Sequence, residues 1–136
     1  ASAARYGIVE PLGGQVLVPS LRFFAGGART VRGVAEDTLG GVDFLGNPIG
    51  GRGVLTLNQE MRFPVYRWLR GVVFVDMGNV FPESGSFRFQ DLVGSTGFGA
   101  RLATPFAIFR VDYGRTVWNR PVPDSGLWMF GIGQTF

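Results

Sequence analysis

Val54-Leu55-Thr56-Leu57-Asn58-Gln59-Glu60-Met61-Arg62-Phe63 resolves into two rows when read with a period of two. Leu55, Leu57, Gln59, Met61 and Phe63 form an apolar row, and Val54, Thr56, Asn58, Glu60 and Arg62 form a polar one. An extended strand sends successive side chains to opposite faces, so this stretch predicts a strand with one apolar and one polar face. The alternation recurs downstream. Val73, Val75 and Met77 oppose Val72, Phe74 and Asp76, up to a break at Gly78-Asn79. Thr96, Phe98, Ala100 and Leu102 oppose Gly97, Gly99, Arg101 and Ala103, and Pro105 ends that run because it cannot donate to a ladder. Ala107, Phe109, Val111 and Tyr113 oppose Ile108, Arg110, Asp112 and Gly114, and the last run sets Trp128, Phe130, Ile132, Gln134 and Phe136 against Leu127, Met129, Gly131, Gly133 and Thr135.

A sandwich strand in a soluble protein has about 5–6 residues, whereas a tilted strand crossing a bilayer needs roughly 9–11, nearer to what these runs offer. The connections alternate in size as well: Pro64 to Arg70 is short, Val80 to Gly94 long, Thr104-Pro105-Phe106 very short and Val117 to Gly126 longer. Short turns at one end and long loops at the other are the habit of outer-membrane barrels. Tyr66, Trp68, Trp118 and Trp128 lie near run ends, where aromatic girdles meet the two interfaces. The fold expected is all-β, an antiparallel transmembrane β-barrel portion. A soluble sandwich also alternates, but its second face would not carry so many Gly and Arg residues.

Composition removes whole classes of chemistry. The chain has 136 residues with no Cys and no His, which excludes the common zinc, iron–sulfur and haem sites, Ser–His and Cys–His nucleophiles, and disulfide scaffolds. No metal and no cofactor is expected. An apolar fraction of 46% with 17% charged residues argues for an ordered chain. The net charge is +3 and every basic residue is Arg, but the arginines lie singly along the chain, so no nucleic-acid partner is expected. No run of 18 apolar residues predicts a transmembrane helix, and Ala1-Ser2-Ala3-Ala4-Arg5 lacks the apolar core of a signal peptide.

The first fifty residues read differently. A strand is expected over Gly14 to Pro19, preceded by another at Tyr6 to Glu10. From Phe23 to Gly53 the chain is Gly-rich, with Gly26-Gly27, Gly40-Gly41 and Gly50-Gly51 and no sustained period. A loop of about 30 residues in a compact domain is usually functional or disordered. Phe23, Phe24, Val31, Val34, Leu39, Phe44, Leu45 and Ile49 favour order. Residues 1–136 are thus read as one barrel portion that contains a long loop at 22–52 and the last five strands at 53–136.

Within the loop, Arg22-Phe23-Phe24-Ala25-Gly26-Gly27-Ala28-Arg29-Thr30-Val31-Arg32-Gly33 carries a Val-Arg-Gly triplet, followed by Val34. Further along come Gly46-Asn47-Pro48-Ile49-Gly50-Gly51, Asn58-Gln59-Glu60-Met61-Arg62-Phe63-Pro64, and Val73-Phe74-Val75-Asp76-Met77-Gly78-Asn79-Val80. Then follow Gly97-Phe98-Gly99-Ala100-Arg101 with Thr104-Pro105, Phe109-Arg110-Val111-Asp112-Tyr113, and Phe130-Gly131-Ile132-Gly133-Gln134-Thr135-Phe136. In this order they resemble the C-terminal barrel region of the BamA/TamA superfamily of outer-membrane insertases and translocases, the bacterial surface antigen family, over residues 13 to 136. Val34 stands where that family has an aromatic.

The resemblance implies six or seven strands of a larger barrel, in a bacterial outer membrane or an organelle membrane of bacterial origin. The edges would be completed by the remaining barrel strands or by other copies of the chain, with the lipid bilayer around them. It implies barrel-protein insertion or polypeptide translocation, with unfolded outer-membrane or secreted polypeptides as substrates. A two-partner secretion pore or a patatin-type phospholipase barrel of the same superfamily remains open. From the residues alone, a small stand-alone ligand-binding barrel is the other candidate, set against the charged face bearing Glu60, Arg62, Asp76, Arg101, Arg110 and Asp112.

The resemblance further implies that the loop arginine enters the lumen, which predicts a cluster of Val31, Arg32 and Gly33 with Glu60 and Asp76. The strand pattern allows it, since both carboxylates lie on polar faces of adjacent strands. A solvated Arg32, with Glu60 and Asp76 paired to Arg101 and Arg110, is the competing arrangement. A glycosidase-like acid–base pair finds no cleft in the sequence, so no enzyme is expected. Phe130, Gly131, Ile132 and Phe136 form the expected C-terminal strand signal, a substrate for β-augmentation or an interfacial anchor.

Overall fold

The computed structural model describes residues 2–8, 22–34, 38–41, 43–82, 88–119 and 126–133. They form one antiparallel sheet of β1 (Ser2–Ile8), β2 (Gly53–Pro64), β3 (Leu69–Phe81), β4 (Val93–Ala103), β5 (Ile108–Trp118) and β6 (Gly126–Ile132), ordered as in the sequence. Four of the six strands run to 11 residues or more, the length that a tilted bilayer crossing requires. The turns after β2 and β4 are short and share one end of the sheet. The connections after β1, β3 and β5 share the other, the end assigned to the cell exterior in outer-membrane barrels.

The register makes the two faces unequal in the way the alternation requires. On one face Val72, Phe74, Asp76, Arg101, Arg110 and Asp112 are buried, whereas Val73, Val75, Phe98, Phe109 and Phe130 on the other are exposed. Polar residues are therefore inside and apolar ones outside, the inverse of a water-soluble sheet and the arrangement that hydrocarbon demands.

Two strand boundaries differ from the sequence pattern. β3 does not stop at Gly78-Asn79, because both residues stay in register with Thr56 and Leu55 of β2 and the ladder continues to Phe81. β1 begins at Ser2 and pairs Ser2–Ile8 with Gln59–Gly53, earlier than the Tyr6 start expected from side-chain types; pairing with a long neighbour overrides the weak strand preference of Ala. The expected strand at Gly14–Pro19 lies outside the described residues. Trp128 is not at a girdle either. It pairs with Tyr113 and forms a row with that ring and Phe98, its centroid 5.0 Å from Tyr113 and 6.5 Å from Phe98, across the middle of the outer face. Tyr66 and Trp68 do sit at the short-turn end, edge to face at 5.8 Å.

The inner face is covered by the loop, which has a folded shape of its own. Its stem is an antiparallel bridge between Phe23 and Gly51, with reciprocal N–H to carbonyl bonds of 2.8 and 3.0 Å. Above the stem, the Gly27 N–H donates to the Val34 carbonyl, the Leu39 N–H to the Ala25 carbonyl, and the Gly26 N–H to Thr30 Oγ1. These bonds gather residues 25–34 and Leu39 into a compact knob. Its Ala25, Val31, Val34 and Leu39 pack with Val54, Val80 and Val93 of the sheet and with Phe23. The apolar residues of the loop thus divide in two, because Phe44 and Leu45 at its tip are exposed. There the N–H groups of Asn47 and Leu45 donate to Asp43 Oδ1, and these bonds, that of Asn47 first, hold the Asp43 carboxyl below its ordinary range.

Candidate functional site

The site is a patch of the inner face where four strands supply one side chain or one gap each. Glu60 of β2 pairs in register with Phe74 of β3, Phe74 with Gly97 of β4, and Gly97 with Gly114 of β5. One row nearer the loop end lie Asn58, Asp76 and Ser95. The row therefore passes from a carboxylate to a ring to two bare glycines. A β-carbon on Gly97 would sit 2.6 Å from the Phe74 ring, so its absence gives the ring its place.

The knob lowers Arg32 onto this patch. Its Nε and Nη2 donate to Asp76 Oδ2 and Oδ1 at 2.7 and 2.9 Å, a bidentate fork, and its Nη1 donates to Glu60 Oε2 at 2.5 Å. The backbone N–H of Arg32 adds a third bond to Asp76, at 3.1 Å. Beneath the guanidinium lies Phe74, with Cζ 3.6 Å from the ring centroid, within cation–π range. Arg32, Glu60 and Asp76 are each no more than 1% exposed. A planar cation held at its edges by carboxylates and on its face by a ring is what arginine can satisfy and lysine cannot.

Its two neighbours in the triplet have separate tasks. Gly33 adopts φ +88°, where an L side chain is strained, and a β-carbon there would lie 2.6 Å from the Gly114 carbonyl carbon. A β-carbon on Gly114 would lie 2.7 Å from the Gly33 nitrogen. The two backbones touch, and only glycine on both sides permits it. Val31 packs in the knob core and against Gly78, where a β-carbon would come within 2.9 Å of Val31 Cγ2. Asn58 Nδ2 donates to the Thr30 carbonyl at 2.5 Å and ties the knob to β2.

A family model described as the Omp85 superfamily domain matches residues 1–136, the whole chain. The chain belongs to the Omp85 superfamily. This agrees with the resemblance read from the sequence, and sets the chain among outer-membrane β-barrels of a family concerned in general with inserting and translocating polypeptides.

In this Omp85 domain, the charge cluster extends further than the five residues picked out from the sequence. Glu60 Oε1 accepts from Arg62 Nε at 2.5 Å, and Arg101 Nη2 lies 3.5 Å from Glu60 Oε2. Arg101 Nη1 in turn donates to Asp112 Oδ1 at 2.6 Å. Gly99, opposite Asp112 in the register, leaves the room that this carboxylate occupies. Arg101 therefore joins Glu60 to Asp112 instead of drawing Glu60 away from Arg32. Phe74, Gly97, Gly99 and Gly114 escaped the sequence reading; the bare face of β4 and β5 was visible there, but not what would fill it.

The bonding pattern ranks the two carboxylates. Asp76 accepts three bonds from Arg32, whereas Glu60 accepts one and keeps two other arginines. Asp76→Asn should therefore weaken loop docking more than Glu60→Gln, since charge-assisted bonds contribute roughly 1.5–3 kcal/mol each. Amide hydrogen exchange at Arg32 in the intact protein measures the difference, and equal effects of the two variants would contradict the ranking.

The C-terminal strand of the Omp85 domain presents Phe130 and Ile132 to the outside, both mostly exposed. Gly131 faces inward, where a β-carbon would strike the Arg110 guanidinium. Phe136 lies outside the described residues.

Proposed function

We propose that this domain is the barrel wall of an outer-membrane protein assembly factor or polypeptide translocation pore, in which the loop knob is a latch seated inside the barrel. The observation that supports this reading most is the Arg32 seat: a buried fork, a ring beneath it and a glycine-to-glycine backbone contact, all engaging one loop. A loop that merely covered a surface would need none of these. The partners in this reading are the lipid bilayer, the remaining barrel strands or further copies of the chain, and unfolded outer-membrane or secreted polypeptides. The role is mechanical and not catalytic.

This chain contributes no thiol of its own to the test. Thr30→Cys with Asn58→Cys places one thiol on the knob and one on the wall at residues already in contact, since Asn58 bonds the Thr30 backbone carbonyl. Joined by a short thiol crosslinker in the intact protein, reconstituted in liposomes, they hold the knob in its seat. If the latch must move, the crosslink stops insertion or passage of an unfolded outer-membrane polypeptide, and a reducible linker restores it on reduction. Full activity of the crosslinked protein would refute a moving latch.

A further inference from the structure

On the outer face, at the loop end, the connection between β3 and β4 does something a solvated loop has no reason to do. Its 3₁₀ turn, Phe89–Asp91, is strapped down on the sheet side. Asn79 Nδ2, from the outer row of β3, donates to the Asp91 carbonyl at 2.7 Å, and Asn119 Nδ2 donates to the Gln90 and Leu92 carbonyls at 2.5 and 2.9 Å. Asn119 takes the left-handed conformation, φ 48°, to do so. The turn thus becomes a shelf over the outer wall. Under it lies a groove of about 410 Å³ lined by Tyr6 of β1, Leu55 and Leu57 of β2, Phe81 of β3, and Arg88 and Phe89 of the shelf.

The lining is apolar except for the rim, where it carries one cation. Phe89 is 78% exposed and Leu57 and Tyr6 are exposed, so the protein leaves this surface uncovered. In water that is unfavourable. On the bilayer side of a barrel the same surface is covered by lipid. Arg88 is exposed, and among the described residues its side chain meets no carboxylate. It stands at the loop end of the wall, the level at which the headgroups of the outer leaflet begin. A guanidinium there, above a slot of a size that ordinarily binds small ligands, matches a phosphate above an acyl chain.

We propose that this groove is a binding site for a phosphate-bearing lipid of the outer leaflet, with one acyl chain between Tyr6, Leu55, Leu57 and Phe81 and the phosphate on Arg88. The straps from Asn79 and Asn119 fix the height of the shelf, and so the distance from headgroup to chain. This site lies on the opposite face of the sheet from the Arg32 seat and is independent of the latch.

The test uses the intact protein in micelles of a maltoside detergent, which carries no phosphate, with bis-phosphorylated lipid A added and lipid retention read by native mass spectrometry. The wild type should retain lipid A in preference to the same lipid without phosphates. Arg88→Ala should lower that retention roughly ten-fold, the equivalent of one charge-assisted contact, and Arg88→Lys should recover part of it. Leu57→Trp, on the lipid-facing surface, should fill the groove and lower retention of both lipids; heat-modifiable gel mobility shows that each variant barrel is folded. Equal retention with and without phosphates, no loss in Arg88→Ala, or no loss in Leu57→Trp would each overturn the assignment. So would displacement of the lipid by inorganic phosphate alone, since that would make Arg88 a site for the free anion.

Discussion

Arg32→Ala should free the knob from the wall while leaving both barrel and knob folded. The substitution removes three of the four bonds from Arg32 to Asp76 and Glu60, sparing that of the residue 32 N–H to Asp76, and strips the cover from Phe74. It also leaves Asp76 buried with no cation on it, and removing one partner of a buried pair costs roughly 3–5 kcal/mol. Exchange of the residue 32 amide should accelerate by about two to three orders of magnitude in consequence. The Gly27 N–H, which bonds to the Val34 carbonyl within the knob, should keep its protection. Asp76→Asn in the Arg32→Ala background should add little, because the two groups act on one another. A protected residue 32 amide in Arg32→Ala would mean that apolar packing alone seats the loop.

Gly114→Val should unseat the same knob with every charge intact. The new side chain enters the space of the Gly33 nitrogen and the Arg32 carbonyl carbon, where even a β-carbon approaches to 2.7 and 2.9 Å. Neither backbone can move aside cheaply: Gly114 is fixed in the ladder to Gly97 and Leu127, and Gly33 lies between the two anchored residues Arg32 and Val34. Overpacking of a tight contact commonly costs about 1–3 kcal/mol, and here the yielding part is the docked loop and not the sheet. The expected outcome is a barrel that still shows heat-modifiable mobility, with Asp76 and Glu60 opened to solvent and the residue 32 amide exchanging rapidly. Gly33→Ala should act in the same direction from the loop side, with backbone strain added. An unchanged exchange pattern in Gly114→Val would show that the knob can seat without this contact.

How far the sequence reached follows from what each kind of residue can signal. β2, β4 and β5 were legible because alternation of large apolar against charged or small residues marks both faces, and the charges at Glu60, Asp76, Arg101 and Asp112 announced the inner one. Gly78-Asn79 was misleading because that pair commonly makes a turn, yet here Gly78 is bare to admit Val31 and Asn79 to strap a loop. Trp128 was misleading for a related reason: it is near the start of its own strand, but β6 is short and begins part-way along β5, so Trp128 lies level with Phe98 in the middle of β4. The acceptor residues of the latch were legible as charges, and its triplet only through resemblance. Gly97, Gly99 and Gly114 could not be read at all, since a glycine in a strand records that something comes close without recording what.

The stem of the loop carries a kinetic consequence. The Phe23–Gly51 bridge and the internal bonds of the knob are made within the loop itself and use neither Arg32's side chain nor the wall. The knob is therefore a tethered ligand for its own barrel. Its return is a first-order event, governed by an effective concentration on the order of millimolar that no dilution changes. With the Gly27 amide still protected in Arg32→Ala, as expected above, the knob is folded when it swings back, little chain entropy is lost on arrival, and the depth of the Arg32 seat shows almost entirely in the rate of leaving.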